Sequence, residues 1–282
     1  MRSRAARVSA IVTVPAEADR HAILAYADEL EAYATSVDEV VWVTRAGTPD
    51  GLEGLNAVTA AAIMPEVPAT DGRGDAMWRG LGATSGEIVV WLDATGSPPE
   101  ALELITHLLV DDARTGLVLG PPSDAGDYAI GELLARPLLS MLFPELASLA
   151  GPVTRSVGGR RRLLERLPFF TGDGAEIGLL LDTFLLEGAT GIGAVPEDNP
   201  PSGPLQTDAV RAAAVAQAIF RRAEEAGRIR ATVDYPSHPL FLPAGGTLDA
   251  RATRQIDRPP IEVAPTYLAA LRGGDGAVAA AR

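Results

Sequence analysis

Two periods of apolar residues alternate along the first hundred positions. Val8 to Val14 is almost continuously apolar and stops at Pro15, which reads as a buried strand. Ala18 to Thr35 carries Ile23, Leu24, Ala27 and Leu30 at spacings near one helical turn, and Val40 to Val43 is a second buried strand. Strand, helix, strand in that order predicts a parallel sheet with right-handed crossovers. Gly51 to Met64 reads as a helix, Pro65 to Gly72 as a loop, and Asp75 to Thr84 as a helix that sets Met77 and Leu81 one turn apart. Then comes Gly86 to Thr95, in which an apolar run ends in Asp93 and is followed by the breaker Gly96-Ser97-Pro98-Pro99. A carboxylate at the carboxyl end of a buried strand stands where open α/β sheets bind their ligands.

The second half is more helical. Pro99 to Leu109 predicts an amphipathic helix and Gly116 to Leu119 a short strand, and Pro121 to Gly126 marks a change of character. Gly131 to Leu149 reads as helix interrupted by Pro137 and Pro144. Arg160-Arg161-Arg162 opens a helix that ends near Pro168, and Glu176 to Glu187 is a strongly apolar helix. A proline-rich loop over Pro196 to Pro204 precedes a long Ala-rich helix from Thr207 to Gly227, capped by Thr207 or Asp208. Beyond Gly227 the pattern weakens, and Gly273 to Arg282 reads as a frayed tail.

Composition narrows the function classes. With 282 residues, 47% of them hydrophobic, the chain can bury a large α/β core. Its apolar runs fall far short of the roughly 20 residues that a membrane-spanning helix needs, so a cytoplasmic protein is expected. Zero cysteines exclude disulfides and thiolate metal sites. His21, His107 and His238 have neither the spacing nor the acidic partners of a catalytic or zinc site, and are read as structural. The net charge of −13 disfavours nucleic acid and anionic membranes, though local basic groups still allow a small phosphate ligand. All the formal side-chain cations are arginine. Arg160 to Arg162 admits two readings, a solvated charge run or an attractor for a phosphorylated ligand.

The motifs Gly72-Arg73-Gly74-Asp75-Ala76-Met77-Trp78-Arg79, Ala135-Arg136-Pro137-Leu138-Leu139 and Gly174-Ala175-Glu176-Ile177-Gly178-Leu179-Leu180-Leu181-Asp182-Thr183 resemble those of glucosyl-3-phosphoglycerate synthases. These are retaining glycosyltransferases of the GT-A fold, and the match runs collinearly from the first strand to Asp257-Arg258-Pro259-Pro260. The resemblance implies a Rossmann-like, mostly parallel sheet flanked by helices. It also implies a nucleotide-sugar-binding half over residues 1–120, an acceptor half over 121–228, and a C-terminal extension over 229–282 that takes part in a homodimer.

In that family an Asp-x-Asp motif and a later histidine hold Mg2+ or Mn2+ against the donor diphosphate. Here the motif is Asp93-Ala94-Thr95, and the histidine position aligns with Asp198. The resemblance assigns nucleotide contacts to Pro15, Glu17, Arg73, Asp93 and Thr95, a catalytic-face carboxylate to Glu176, and a metal ligand to Asp198. The bland alternatives are a turn-forming Asp93, a Thr95 hydroxyl that caps the turn before Pro98, and a Glu176 that merely favours its helix N-terminus. Departures accumulate at the ligand positions. Thr95 replaces the metal-binding carboxylate, Pro15 to Asp19 replaces an Asn-Glu pair, Thr44 to Thr48 replaces an acidic loop, and Arg73 replaces a lysine. Ala129 and Gly131 replace an arginine and a threonine, and Thr154 to Val157 replaces Gly-Gly-Glu-Tyr.

Three functions follow from this pattern. One is a transferase moving a hexose from a nucleotide sugar, such as a UDP-hexose, to a small acceptor, with altered substrate or reduced activity. The second is an inactive GT-A homologue that binds a nucleotide or a partner protein, and the third is the same scaffold turned to another reaction.

Overall fold

A computed structural model describes residues 6–45, 52, 54–196, 208–232, 240–244, 247–251 and 255–265. Asp198, Thr207, His238, the 46–48 part of the Thr44–Thr48 segment, most of the proline-rich loop and the 273–282 tail lie outside the described residues.

The first three predicted elements form where their periodicity puts them. Strand β1 is Val8–Val14, helix α1 is Arg20–Glu31 and strand β2 is Glu39–Thr44. Asp19 caps α1 by accepting the Ala22 N–H, and Ile23, Tyr26 and Leu30 form its buried stripe. The Gly51–Met64 expectation is overturned. Among its described residues the chain makes a three-residue strand, β3 (Ala57–Thr59), and a 3-10 turn (Ala60–Ala62). Ala57 sits beside Trp42 as β3 pairs with β2, so tertiary pairing overrides the helix propensity of an alanine-rich run.

Helix α2 (Arg73–Ala83), strand β4 (Ile88–Asp93), helix α3 (Ala101–Asp111) and strand β5 (Leu117–Leu119) follow. Helix α4 (Ala125–Ile130) runs through a π turn (Gly131–Ala135) into α5 (Arg136–Leu142) without the interruption expected at Pro137. The π turn just before Pro137 lets the helix continue past a residue that has no N–H to give.

In the Arg160–Arg162 stretch Arg162 is exposed, whereas Arg160 and Arg161 are half-buried and turned inward. Arg160 ends a strand, β6 (Val157–Arg160), and Arg161 starts the single-turn helix α6 (Arg161–Leu164). Arg160 donates to the carbonyls of Leu109, Thr115 and Asp112, and Arg161 to those of Leu81 and Gly86. They cap the ends of α3 and α2, which leaves orphan carbonyls satisfied. Strand β7 (Phe169–Phe170), helix α7 (Ala175–Glu187), strand β8 (Ile192–Ala194), helix α8 (Ala209–Glu225), the hairpin β9 (Leu240–Ala244) and β10 (Thr247–Arg251), and β11 (Asp257–Arg258) complete the described chain.

Seven strands form one sheet in the order β3-β2-β1-β4-β6-β5-β8, all parallel except β6, which runs against both neighbours. Alternate residues separate two cores. Ile11, Val89 and Trp91 pack toward α2, α5, α7 and α8, whereas Val12, Val90 and Leu92 pack toward α1 and α3. Gly158 in β6 is required by this packing, because a Cβ there would lie 2.5 Å from Ile105 Cγ2 on α3. No helix among the described residues is long and apolar enough to cross a membrane.

Candidate functional site

The site lies at the carboxyl ends of β1, β2 and β4. Thr13 and Asp93 are direct neighbours across β1 and β4 and share the parity of Ile11 and Trp91, so both face α2 and α7. Arg73 opens α2, whose first turn is fixed to β7 by Asp75 N–H donating to the Thr171 carbonyl. Glu176 sits in the first turn of α7.

Arg73 is the hub. Its side chain is fully buried, and its Nε donates to Glu176 Oε1 at 2.6 Å. Nη1 donates to Thr13 Oγ1, to the Leu92 carbonyl and, at 3.3 Å, to Asp93 Oδ2, while Nη2 donates to the Arg155 carbonyl. The residue that the resemblance placed on a diphosphate therefore spends its donors inside the protein, tying Asp93 to Glu176.

Asp93 is fully buried and held by four donors. Oδ1 accepts the Thr95 N–H at 2.9 Å and the Thr95 hydroxyl at 2.6 Å, and Oδ2 accepts Arg45 and Arg73, each at 3.3 Å. Burial pushes its carboxyl up, but Arg73, Arg45 and the Thr95 hydrogen bonds outweigh it and hold the group below the usual range. Thr95 is itself exposed, and its hydroxyl closes the turn onto Asp93. Ser97 locks the same turn by accepting the Asp93 N–H and donating to the Arg155 carbonyl.

Glu176 is also held ionised. Burial acts against the charge, and the Arg73 and Arg211 guanidinium groups more than offset it. Its Oε2 is buried without a hydrogen-bond partner.

A second set of charges adjoins this one. Asp127 on α4 accepts Arg155 Nε at 3.1 Å and Arg211 Nε at 2.8 Å, and Arg211 also donates to the Thr154 carbonyl. Arg211 Nη1, Arg45 Nε and the hydroxyls of Tyr26, Thr44 and Ser123 are buried with no partner among the described residues. Buried polar atoms left without protein partners call for a polar ligand or ordered water. The Tyr26 hydroxyl is made a weaker acid by burial and then by the Asp93 charge.

The other predicted site residues contribute no side-chain hydrogen bond or ion pair to this network among the described residues. Pro15 is buried in the turn after β1, and Glu17 is exposed on the same turn. Ala129 and Gly131 are buried in α4 and the π turn. His21 and His107 are exposed, away from the cluster. Sequence reasoning missed Asp127 and Arg211, and passed Arg45 and Arg155 only as members of altered segments. One signal was available, since Arg211, Val215, Ala218 and Arg222 share the buried face of α8.

No protein-family model matches the chain. A glucosyl-3-phosphoglycerate synthase of Mycolicibacterium smegmatis is 37% identical over 177 residues, which span 56% of this chain and 58% of the relative. The same enzyme of Petrotoga mobilis is 27% identical over 76% of this chain and 71% of its own. The Mycobacterium tuberculosis enzyme solved with Mn2+, UDP and glucosyl-3-phosphoglycerate superposes with a TM-score of 0.77 at 28% identity, covering 92% of both chains. The chain is a homologue of the glucosyl-3-phosphoglycerate synthases.

The GT-A fold expected from the sequence is thereby established, with its mostly parallel sheet flanked by helices. The matched stretch spans a little over half of the mycobacterial synthases' length. Further synthase structures hold Mn2+, UDP-glucose and glycerol 3-phosphate, or Mg2+ and UDP.

Proposed function

We propose that the chain binds a UDP-hexose at the carboxyl ends of β1, β2 and β4 and transfers the hexose to a small acceptor. The observation that carries this reading is Glu176, a buried carboxylate kept ionised by two arginines with one oxygen uncommitted. Such a group stabilises the positive charge that grows at a sugar's anomeric carbon. The bond from that carbon to the diphosphate breaks and its electron pair leaves with the nucleoside diphosphate. The acceptor hydroxyl oxygen makes the new bond, and its proton passes to the departing phosphate oxygen.

The donor class comes from the synthases solved with UDP-glucose, and the acceptor class from phosphoglyceric acid and glycerol 3-phosphate in the same structures. Ala129 and Gly131 offer no side-chain donors. Each lost charge-assisted hydrogen bond costs about 1.5–3 kcal/mol, which favours an acceptor less charged than phosphoglycerate. On this reading residues 1–120 hold the donor, 121–228 shape the acceptor side, and 229–282 contribute to a homodimer in the cytoplasm. Pro15, Glu17 and Thr95 line the donor side.

A second reading, an inactive homologue that only binds the nucleotide, is favoured by Asp93, whose carboxylate is fully engaged by protein donors. The two are separated by UDP release from UDP-glucose with phosphoglycerate, glycerol 3-phosphate and glycerate as acceptors. The transferase reading expects acceptor-dependent UDP release that falls on the order of 10²–10³ in Glu176→Gln, with UDP affinity unchanged. UDP binding with no turnover on any acceptor would leave the inactive homologue as the better account.

A further inference from the structure

The described residues at the metal position, Asp93 and Thr95, do not fit a divalent cation. An ionised carboxylate offers about four lone-pair sites, and the Thr95 N–H, the Thr95 hydroxyl, Arg45 and Arg73 occupy that number on Asp93. Thr95 compensates poorly, because a neutral hydroxyl oxygen is a much weaker ligand for a hard dication than the carboxylate it replaces. No group of three metal-ligating side chains occurs among the described residues. A dication at Asp93 would have to displace two guanidinium groups and then sit beside them.

The charge such an ion would bring is already present as arginine. Direct bonds join four guanidinium groups, Arg45, Arg73, Arg155 and Arg211, to three carboxylates, Asp93, Asp127 and Glu176. The directly bonded set carries one positive charge in surplus, with the Asp173 carboxylate also acting on Arg211, within a chain of net charge −13. Arg73 is spent internally, whereas the other three each keep at least one guanidinium nitrogen uncommitted among the described residues. The Arg45 side chain is 14% exposed, with its Nε lacking a partner. The Arg155 side chain is 21% exposed and crosses the turn after Asp93, so that a Cβ at Gly96 would collide with Arg155 Cδ. Among the described residues only its Nε is committed, to Asp127. Arg211 is buried with Nη1 unpartnered.

We propose, resting on the sugar-nucleotide reading, that Arg45, Arg155 and Arg211 hold the donor diphosphate in place of a divalent cation. Guanidinium forks match pairs of phosphate oxygens and need no open carboxylate to hold them in place. Asp93 is then a positioning residue that aims Arg45 and Arg73, rather than a metal ligand.

The test is calorimetric titration of the full chain with pyrophosphate, UDP and UDP-glucose, first in EDTA and then in excess Mn2+. All three are expected to bind in EDTA, more weakly as salt rises, with Mn2+ changing Kd by less than about threefold. Arg45→Gln and Arg155→Gln should each weaken pyrophosphate about tenfold or more, and Arg162→Gln, on the exposed face of α6, should not. Thermal melts establish that each variant is folded. Pyrophosphate binding without UDP binding supports the arginine site and removes the uridine reading. Nucleotide binding that requires Mn2+, or that is indifferent to Arg45 and Arg155, overturns the arginine site while keeping the nucleotide. No binding under either condition overturns both.

Discussion

Replacing Arg73 by methionine is expected to destabilise the protein by about 3–5 kcal/mol at pH 8, the range for removing one partner of a buried ion pair. The upper part applies because Arg73 serves two buried carboxylates, Glu176 at 2.6 Å and Asp93 at 3.3 Å. Methionine fills much of the same volume, so lost charge compensation dominates over cavity formation.

The pH dependence follows from the sign of each shift. In the parent chain both carboxyls titrate below their ordinary values of 3.8 and 4.5, so their contribution is present above those values and fades as pH falls through the depressed ones. Without Arg73, burial dominates at Glu176 and gains weight at Asp93, and carboxyls raised this way lose stability as pH climbs above about 4. The gap between the two proteins should therefore widen from pH 5 to pH 8. Urea unfolding followed by tryptophan fluorescence reads it, since Trp78 and Trp91 are fully buried. At roughly 2–4 °C per kcal/mol the melting temperature should drop by about 6–20 °C. A loss below about 1 kcal/mol at pH 8, or a larger loss at pH 5 than at pH 8, would refute this account of the cluster.

Asp182 gives the opposite pH behaviour. It lies 2.7 Å from Arg222 Nε without hydrogen-bond alignment, its Oδ2 has no partner, and burial pushes its carboxyl up to about 7. The folded chain thus keeps a proton that the unfolded chain releases near pH 4, and stability declines as pH rises from about 4 to 7. Asp182→Asn should flatten that decline by about 4 kcal/mol, while Arg222 keeps Asp257 and Glu225; unchanged melting profiles between pH 5 and 8 would count against it. Gly158→Ala should cost about 1–3 kcal/mol in urea unfolding through its clash with Ile105. Gly131→Ala, whose Cβ meets nothing nearer than 3.8 Å, should be neutral or stabilising, and equal effects at the two positions would undo the packing argument.

The parallel half of the sheet was legible because β1, β2 and β4 are apolar on both faces and end at breakers. Strand β6 was not, since Val157-Gly158-Gly159-Arg160 has little β propensity and is a strand only because β4 and β5 flank it. The 51–64 region was misread for the converse reason, that alanines favour helix until an edge strand recruits them. At the site, Asp93 stood out by its place at a strand end, and Arg73 and Glu176 by the motifs around them. Asp127, Arg155 and Arg211 are lone charges scattered over some eighty positions, and only the tertiary fold brings them into one network. What the sequence presented as a depleted acidic motif is, in three dimensions, a carboxylate saturated by two arginines and Thr95.

The reversed strand also bears on how the chain is built during synthesis. Strand β5 pairs only with β6 and β8, both of which come later in the sequence. β1 to β4 can assemble as soon as they leave the ribosome, but β5 must wait until residue 160 has emerged before it has a neighbour to join. During that interval its Leu117-Val118-Leu119 edge is unpaired, so the nascent chain is most open to aggregation between the making of β5 and the arrival of β6.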